Sequence, residues 1–550
     1  MARLNAGFKL VFSLLVGSVA YCEAAAPQLP TRTYSTDLPP SGGTLRAVPA
    51  GGDLQAAINA AVPGDTITLA AGARYVGNYY LPAKTGTGWI TIRSNAPDSS
   101  LPAPGARITP SYASVMPKIV TRADSPALRT SGLAHHYRLI GLEFISEAPS
   151  VLSGIVDLGS ASVSDVTQLP HDLIVDRCYI HGSGDTQQKN GIRINVTSSA
   201  IIDSYIDDIK SRDYEGHGIG AYNAEGPLKI ENNFIAATGV NVLWGGAVDA
   251  IRRNVSDVTF RRNHVMKHRR WNPADPTYAG TFWMVKNLYE HKYGQRILIE
   301  GNTFENCWPS GTIADNAPQH GWAILFTVRS EGTSATWHTV SDITFRHNIV
   351  RNSNAGVSLY GGEGAGTHRI GFYNNVFTNI GRAWGNNVKT GYLLQPFTVT
   401  NITFDHNTAI QDGPITFAVG ANEPGLVWTN NLTAHAGGFS GEGVGIGLPT
   451  LNRYFSVTPS WIFHHNAMTG GGASQASYPS GNFFPASWTD VQFMNLAGGN
   501  YRLATTSPYR LAGSDQKDLG ADIDALEDVM RGSVTPTPPN SPPARPTNLR

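Results

Sequence analysis

Short apolar alternations recur along the chain, and they line up on one polar position. Stacked on it, the segments LIVDRCYI, AIIDSYID, LKIENNFI, VTFRRNHV, ILIEGNTF, ITFRHNIV, IGFYNNVF, ITFDHNTA, LVWTNNLT and WIFHHNAM share a β-branched or aromatic run ahead of a corner. In eight of these ten the aligned residue is asparagine, at Asn233, Asn263, Asn302, Asn348, Asn375, Asn407, Asn431 and Asn466. The spacings run from 24 to 46 residues, with most near 30. A period in that range belongs to stacked coils, each of which buries its apolar face against its neighbours. Asparagine tolerates the left-handed backbone of a sharp corner, and its amide can donate and accept between equivalent turns. The column therefore predicts a hydrogen-bonded ladder.

A second alternating run accompanies these corners: GIRIN at 191, GIGAY at 218, GVNVL at 239, AILFT at 323, GVSLY at 356 and PITFA at 414. Alternation sends Ile192 and Ile194, or Val357 and Leu359, inward, and leaves Arg193, or Ser358 and Tyr360, outside. Two or three short strands per coil of roughly 25 to 35 residues predict an all-β fold, a single-stranded right-handed parallel β-helix. The stretch DLQAAINAAVPGDTITLAAGARY reads as an amphipathic helix, a Pro-Gly-Asp turn and a strand. Such a helix would cap the open N-terminal end of the solenoid. With this cap and these coils, residues 50 to 525 resemble the right-handed parallel β-helix proteins of the pectate-lyase-like superfamily.

Residues 1–26 have Arg3 and Lys9 ahead of an apolar run and small residues at Ala24 to Ala26, the pattern of a secretory signal too short to span a membrane. The expected order is then an N-terminal extension over 27–50, the β-helix over 51–531, and a Pro/Thr/Ser linker over 532–550. The end of that linker, PARPTNLR, resembles the start of a fibronectin type III module. The 59 Gly, 34 Pro and 15% charged residues suit short strands and tight turns. With 41 basic and 41 acidic residues, no global field advertises a nucleic-acid partner. The expectation is a secreted monomer without a membrane span. Cys178 and Cys307 lie four coil steps apart, roughly 19 Å, so two free thiols are expected rather than a disulfide.

Many members of the resembled superfamily bind an extended polysaccharide along a groove on one outer sheet, walled by loop insertions. The first long insertion here, residues 264–283, sets Lys267, His268, Arg269 and Arg270 beside Trp271. Guanidinium groups suit bidentate capture of carboxylate or sulfate, and an indole face can stack on a sugar; a solvated loop is the plainer alternative. The second insertion, residues 311–342, carries a strand that ends at Arg329, with His320, Trp337 and His338 in its loops. His320 and Tyr360 join Arg269, Arg270 and Trp271 as candidate substrate contacts. Between the insertions, Lys286, Glu290 and Lys292 share one strand parity. The opposite parity would then put Asn287, Tyr289 and His291 inside, and Leu288 would be exposed.

Elimination at a uronate needs a base for the proton next to the carboxylate and a cation to neutralise that carboxylate. Lysine serves as base when neighbouring cations lower its pKa. Lys292 or Lys286 is the expected base, Arg329 the carboxylate clamp or acid, and Glu290 the group that tunes the lysines; a structural ion pair of Glu290 with either lysine is the competing reading. Lyases of the resembled superfamily use Lys or Arg in this way, often with Ca2+, which implies an acidic polysaccharide as partner. A rival reading rests on Asp207-Asp208 and Gly216-His217-Gly218, which resemble parts of the polygalacturonase-type glycoside hydrolase signature. Asp203, Asp207 and Asp208 are also candidate Ca2+ ligands. A third reading is a glycan-binding adhesin without catalysis.

Overall fold

The computed structural model describes residues 24–37, 42–310, 319–420, 423–458, 460–472 and 474–532. The first 23 residues, which carry most of the expected signal, and the linker from 533 onward lie outside the described residues. Three long sheets, of 14, 12 and 13 strands, run the length of the molecule. Each new coil adds one strand to each sheet, in parallel to the strand one coil before, as where Gly294–Glu300 pairs with Val340–Arg346. The fold is a right-handed parallel β-helix.

The stack starts earlier and ends sooner than the boundaries 51 and 531. Leu45–Val48 already pairs with Thr66–Leu69, and the last stacked strand is Ala467–Thr469. Beyond it the chain folds back along the outside, where Ile523 and Leu526 of a closing helix bury against Val376. The N-terminal helix Leu54–Ala60 forms as its pattern predicts: the Asp53 side chain accepts the Ala56 N–H at 2.9 Å, and Leu54 and Ile58 point into the stack. Aromatic rings fill the interior coil by coil, with Phe304, Phe345, Phe372, Phe404 and Trp428 in successive contact at centroid separations of 4.2 to 5.7 Å. Cys178 and Cys307 are free and buried. Burial pushes their thiols up to about 12 and about 11.

The asparagine ladder is continuous. Asn233 donates its backbone N–H and its side-chain Nδ2 to Oδ1 of Asn263, at 2.9 and 3.0 Å. The same double donation repeats through Asn302, Asn348, Asn375, Asn407, Asn431 and Asn466, and ends on Asn482. One detail differs from the expectation. The left-handed corner belongs to the residue before each asparagine, as at Asn232 (φ 56°), Arg262 (φ 53°) and His347 (φ 54°). That residue turns the chain, and the asparagine amide is thereby aimed inward along the stack. Replacing Asn348 by Ala would strand donors and acceptors on both neighbouring coils. The expected loss is about 2–4 kcal/mol, read as a lower urea midpoint.

Residues 25–36 form a strap across the coils. The N–H groups of Ala25, Gln28 and Thr31 donate to Asn401 Oδ1, Asp342 Oδ1 and Asp257 Oδ1, at 3.1, 3.1 and 2.9 Å. The contact at Ala25 falls inside the stretch read as a signal. The three acceptors sit at equivalent left-handed corners, with φ of 57°, 56° and 58°. Successive acceptors are two coils apart, with Arg369 and Arg296 at the corners between them. A polyproline-type chain rises about 9.3 Å in three residues, close to two coil steps of about 4.8 Å. Pro27 and Pro30 lie between the contact residues, so the strap is built to that repeat. Burial opposes ionisation of Asp257, but Arg296, Arg32 and the Thr31 N–H outweigh it and hold the carboxyl well below the usual range. A depressed carboxyl contributes stability above its unfolded pKa of about 3.9 and loses it as the pH falls further. Limited proteolysis within residues 25–36 should therefore accelerate below about pH 4, and Asp257→Asn should show that acceleration already at neutral pH.

Candidate functional site

The strand Tyr289–His291 belongs to the 12-stranded sheet. Its parity follows the sequence reading: Tyr289 and His291 point inward, where the Tyr289 hydroxyl lies 2.8 Å from His291 Nε2 and the imidazole stacks on Trp244 at 5.4 Å. Burial pushes His291 down to about 3, so the interior pair is neutral. Leu288, expected outside, is fully buried. The strand begins only at Tyr289, and the preceding bend is fixed by Asn287, whose Nδ2 donates to the Trp322 carbonyl at 3.0 Å.

That bend is held from beneath by Lys267. Its ammonium donates to the carbonyls of Ala237, Thr238, Gly239 and Asn287 and to Asn241 Oδ1, at 2.5 to 3.2 Å. Lys267 is fully buried and is not part of a surface basic patch. Burial pushes its pKa down to about 7, while its five acceptor neighbours favour the three-donor ammonium. Lys267→Met keeps the length and removes the ammonium donors from those oxygens. It should cost about 3 kcal/mol or more, seen as a lower thermal midpoint.

Above the bend, Glu290, Leu325, Ser358 and Gln395 form one outward column on adjacent coils. They floor a cleft of about 540 Å³ that Lys286, Lys292, His320, Arg329 and Tyr360 also line. Glu290 Oε1 is 3.7 Å from Lys292 Nζ, and Glu290 Oε2 is buried without a hydrogen-bond partner. The Arg329 N–H donates to the Lys292 carbonyl at 3.1 Å, and its guanidinium lies 4.6 Å over the Tyr360 ring. Lys286 donates to Glu215 Oε1 at 2.7 Å. The other Glu215 oxygen lies 3.4 Å from His217 Nε2, and His217 Nδ1 is 3.0 Å from the Tyr222 hydroxyl. Burial would raise the Glu215 carboxyl, but His217 and Lys286 hold it well below its usual range. Glu215 is therefore a fixed anion behind Lys286.

The far wall of the cleft was not legible in the sequence. It consists of Lys389, Phe397, Phe417 and Glu442, three to five coils beyond the Lys286 coil. Lys389 Nζ lies 5.5 Å over Tyr392 and 5.7 Å over Phe417. Burial lowers its pKa, and burial followed by the charge of Lys389 lowers that of His320.

Three other proposed contacts lie elsewhere. Trp271 is 2% exposed and packs with Phe234, Trp283 and Trp308, so its indole face is closed to a sugar. Arg269 pairs with Asp275 at 2.6 Å and Arg270 with Asp208 at 3.3 Å. The acidic trio does not converge either. Asp207 is paired with His268 at 2.6 Å, Asp208 with Lys210, and Asp203 accepts from Gly105 N and Asn232 Nδ2, each at 2.7 Å. Each carboxylate already has its donors, which does not suit a Ca2+ site. Among the described residues, the buried cleft oxygens without partners are Glu290 Oε2, Asn287 Oδ1 and Thr327 Oγ1.

Among solved structures, a mannuronic acid specific polysaccharide family 6 lyase from human gut microbiota is 11% identical, with a TM-score of 0.40 over 89% of this chain and 99% of that one. The catalytic unit of an α-1,3-glucanase from Streptomyces thermodiastaticus gives 12% and 0.39 over 83% of this chain and 72% of that one. PfbA, a surface adhesin of Streptococcus pneumoniae, gives 9% and 0.37 over 67% and 84%. No protein-family model matches the chain, and no curated protein matches it. The likeness is one of fold. Among the described residues, no helix is long and apolar enough to cross a membrane.

Proposed function

We propose that the protein is an exported polysaccharide lyase that cleaves a uronate-containing chain by β-elimination in the cleft above Glu290. The observation that carries this reading is the gathering of Lys286, Lys292, Arg329 and Lys389 around one groove in a chain of zero net charge. Such a groove favours a polyanion, and Tyr360, Phe397 and Phe417 offer ring faces to sugars along it.

In this mechanism Arg329 binds the uronate carboxylate and withdraws its charge, which makes the adjacent carbon acidic. Lys292, neutral, takes the proton from that carbon. The electron pair forms the double bond, the glycosidic C–O bond breaks, and the leaving oxygen takes a proton from a cleft acid such as the Arg329 or lysine side chain. Glu290 positions Lys292 at 3.7 Å, and Lys286, already engaged by Glu215, serves as fixed positive charge. If Ca2+ takes part, Glu290 Oε2 and Asn287 Oδ1 are the oxygens to hold it, and it would add to the neutralisation of the carboxylate.

Purified protein incubated with alginate, pectate and glycosaminoglycans should release unsaturated uronate, followed by its ultraviolet absorbance, with and without Ca2+. Lys292→Ala and Arg329→Ala should each lower turnover by about 10²–10⁴-fold, whereas Arg269→Ala, outside the cleft, should not. New reducing ends without absorbance would favour hydrolysis. Binding without either product would leave the adhesin reading. Full turnover in both variants would remove Lys292 and Arg329 from the mechanism.

A further inference from the structure

A second cluster lies on the 14-stranded sheet, at the corner where the strap ends. His135 and His171 occupy paired positions on adjacent coils, with rings stacked at 5.0 Å and 3°. The next residue in each coil, His136 and Asp172, takes the left-handed conformation, with φ of 57° and 51°. Both side chains are thus thrown outward at the same corner, one coil step apart. His171 Nδ1 lies 2.6 Å from Asp172 Oδ2, and His136 Nε2 lies 3.9 Å from the same oxygen. All three ligand atoms fall within 4.8 Å of one another, and no other group of three His, Cys, Asp or Glu among the described residues gathers so closely.

The surroundings orient these atoms. His136 Nδ1 is 2.8 Å from His135 Nδ1, which leaves Nε2 directed at the carboxylate. The Tyr34 hydroxyl donates to Asp172 Oδ1 at 2.9 Å, which leaves Oδ2 facing the imidazoles. Ligands held by a second hydrogen bond on their far atom are the usual construction of a metal centre. The separations of 2.6 and 3.9 Å bracket the roughly 3.3 Å between neighbouring ligands of a tetrahedral ion with bonds of about 2.0 Å.

At the equivalent corners, Asp257 and Asp342 receive bidentate arginines, Arg296 at 2.9 and 3.1 Å and Arg369 at 2.6 Å through both nitrogens. Asp172 faces histidines where those carboxylates face a permanent cation. All three candidate ligands are half-buried, open to solvent on one side.

We propose that His136, His171 and Asp172 bind one divalent transition cation of the Zn2+ class, with the fourth position left to solvent and with His135 and Tyr34 as positioning residues. Two imidazole nitrogens and one carboxylate favour Zn2+, Ni2+ or Cu2+ over Ca2+. Because Asp172 is also the anchor of Tyr34, the ion would tie the strap to two successive coils. This site is separate from the cleft and does not depend on the proposed elimination.

The chain supplies its own control. His464 and His465 repeat the adjacent pair at another corner, with Nδ1 atoms 2.8 Å apart and rings edge-on at 4.9 Å, but among the described residues no third ligand gathers with them. The test is calorimetric titration of ZnCl2 into the chelator-treated full chain, with metal analysis after dialysis. One Zn2+ per chain is expected, with affinity reduced about tenfold or more in His171→Ala and in Asp172→Asn, unchanged in the His464→Ala, His465→Ala double variant, and not competed by excess Ca2+. Zn2+ should also raise Tm of the parent and not of His171→Ala, with circular dichroism to verify that each variant is folded. No binding by the parent, or equal affinity in the folded His171→Ala and Asp172→Asn variants, would overturn the assignment.

Discussion

The structure depends on one repeated act, the handing of an asparagine amide from each coil to the next. A residue in left-handed conformation turns the chain, and the asparagine that follows accepts two N–H donors from one neighbouring coil while its own donors reach the next. Buried corners would otherwise leave backbone and side-chain groups without partners, at a cost that dozens of short strands could not absorb. Because the same corner recurs, every coil advances by the same step of about 4.8 Å. Columns on the outer faces are then set in register without further instruction.

Two features outside the core draw on that register. The outward column of Glu290, Leu325, Ser358 and Gln395 becomes the floor of a cleft, since parity on each strand is fixed by what the interior buries. The strap of residues 25–36 draws on it differently. Its three-residue repeat meets every second corner, so a segment with no strand of its own is held by carboxylate and amide oxygens that the coils present at constant intervals.

Burial of polar groups is tolerated here where donors and acceptors balance. Lys267 sits among five oxygens beneath the bend that precedes the cleft strand, and Tyr289 and His291 partner each other inside the stack. The cleft is the place where the balance is left incomplete. Glu290 Oε2 lacks a donor, and Lys286, Lys292, Arg329 and Lys389 bring positive charge to the same groove. A polar site that is only partly satisfied by its own protein is suited to a charged ligand.

The sequence by itself determined the coil. Eight aligned asparagines, the alternation around them and the amphipathic pattern of the N-terminal helix are local signals, and each acts within a few residues of where it is written. The parity of Glu290 and Lys292 was legible for the same reason, and so was the adjacency of Arg329, one coil on. Tertiary structure alone decided the rest. It buried Trp271 under Phe234, Trp283 and Trp308, moved Lys267 from an apparent basic patch into a cage of carbonyls, and tied Asp207 to His268 and Asp208 to Lys210. It also brought Lys389, Phe397, Phe417 and Glu442 to the cleft, and set the strap against corners up to 376 residues away. Spacing along the chain reports what a residue does within its own coil, whereas contacts between coils depend on loop paths whose lengths, unlike the corners, do not repeat.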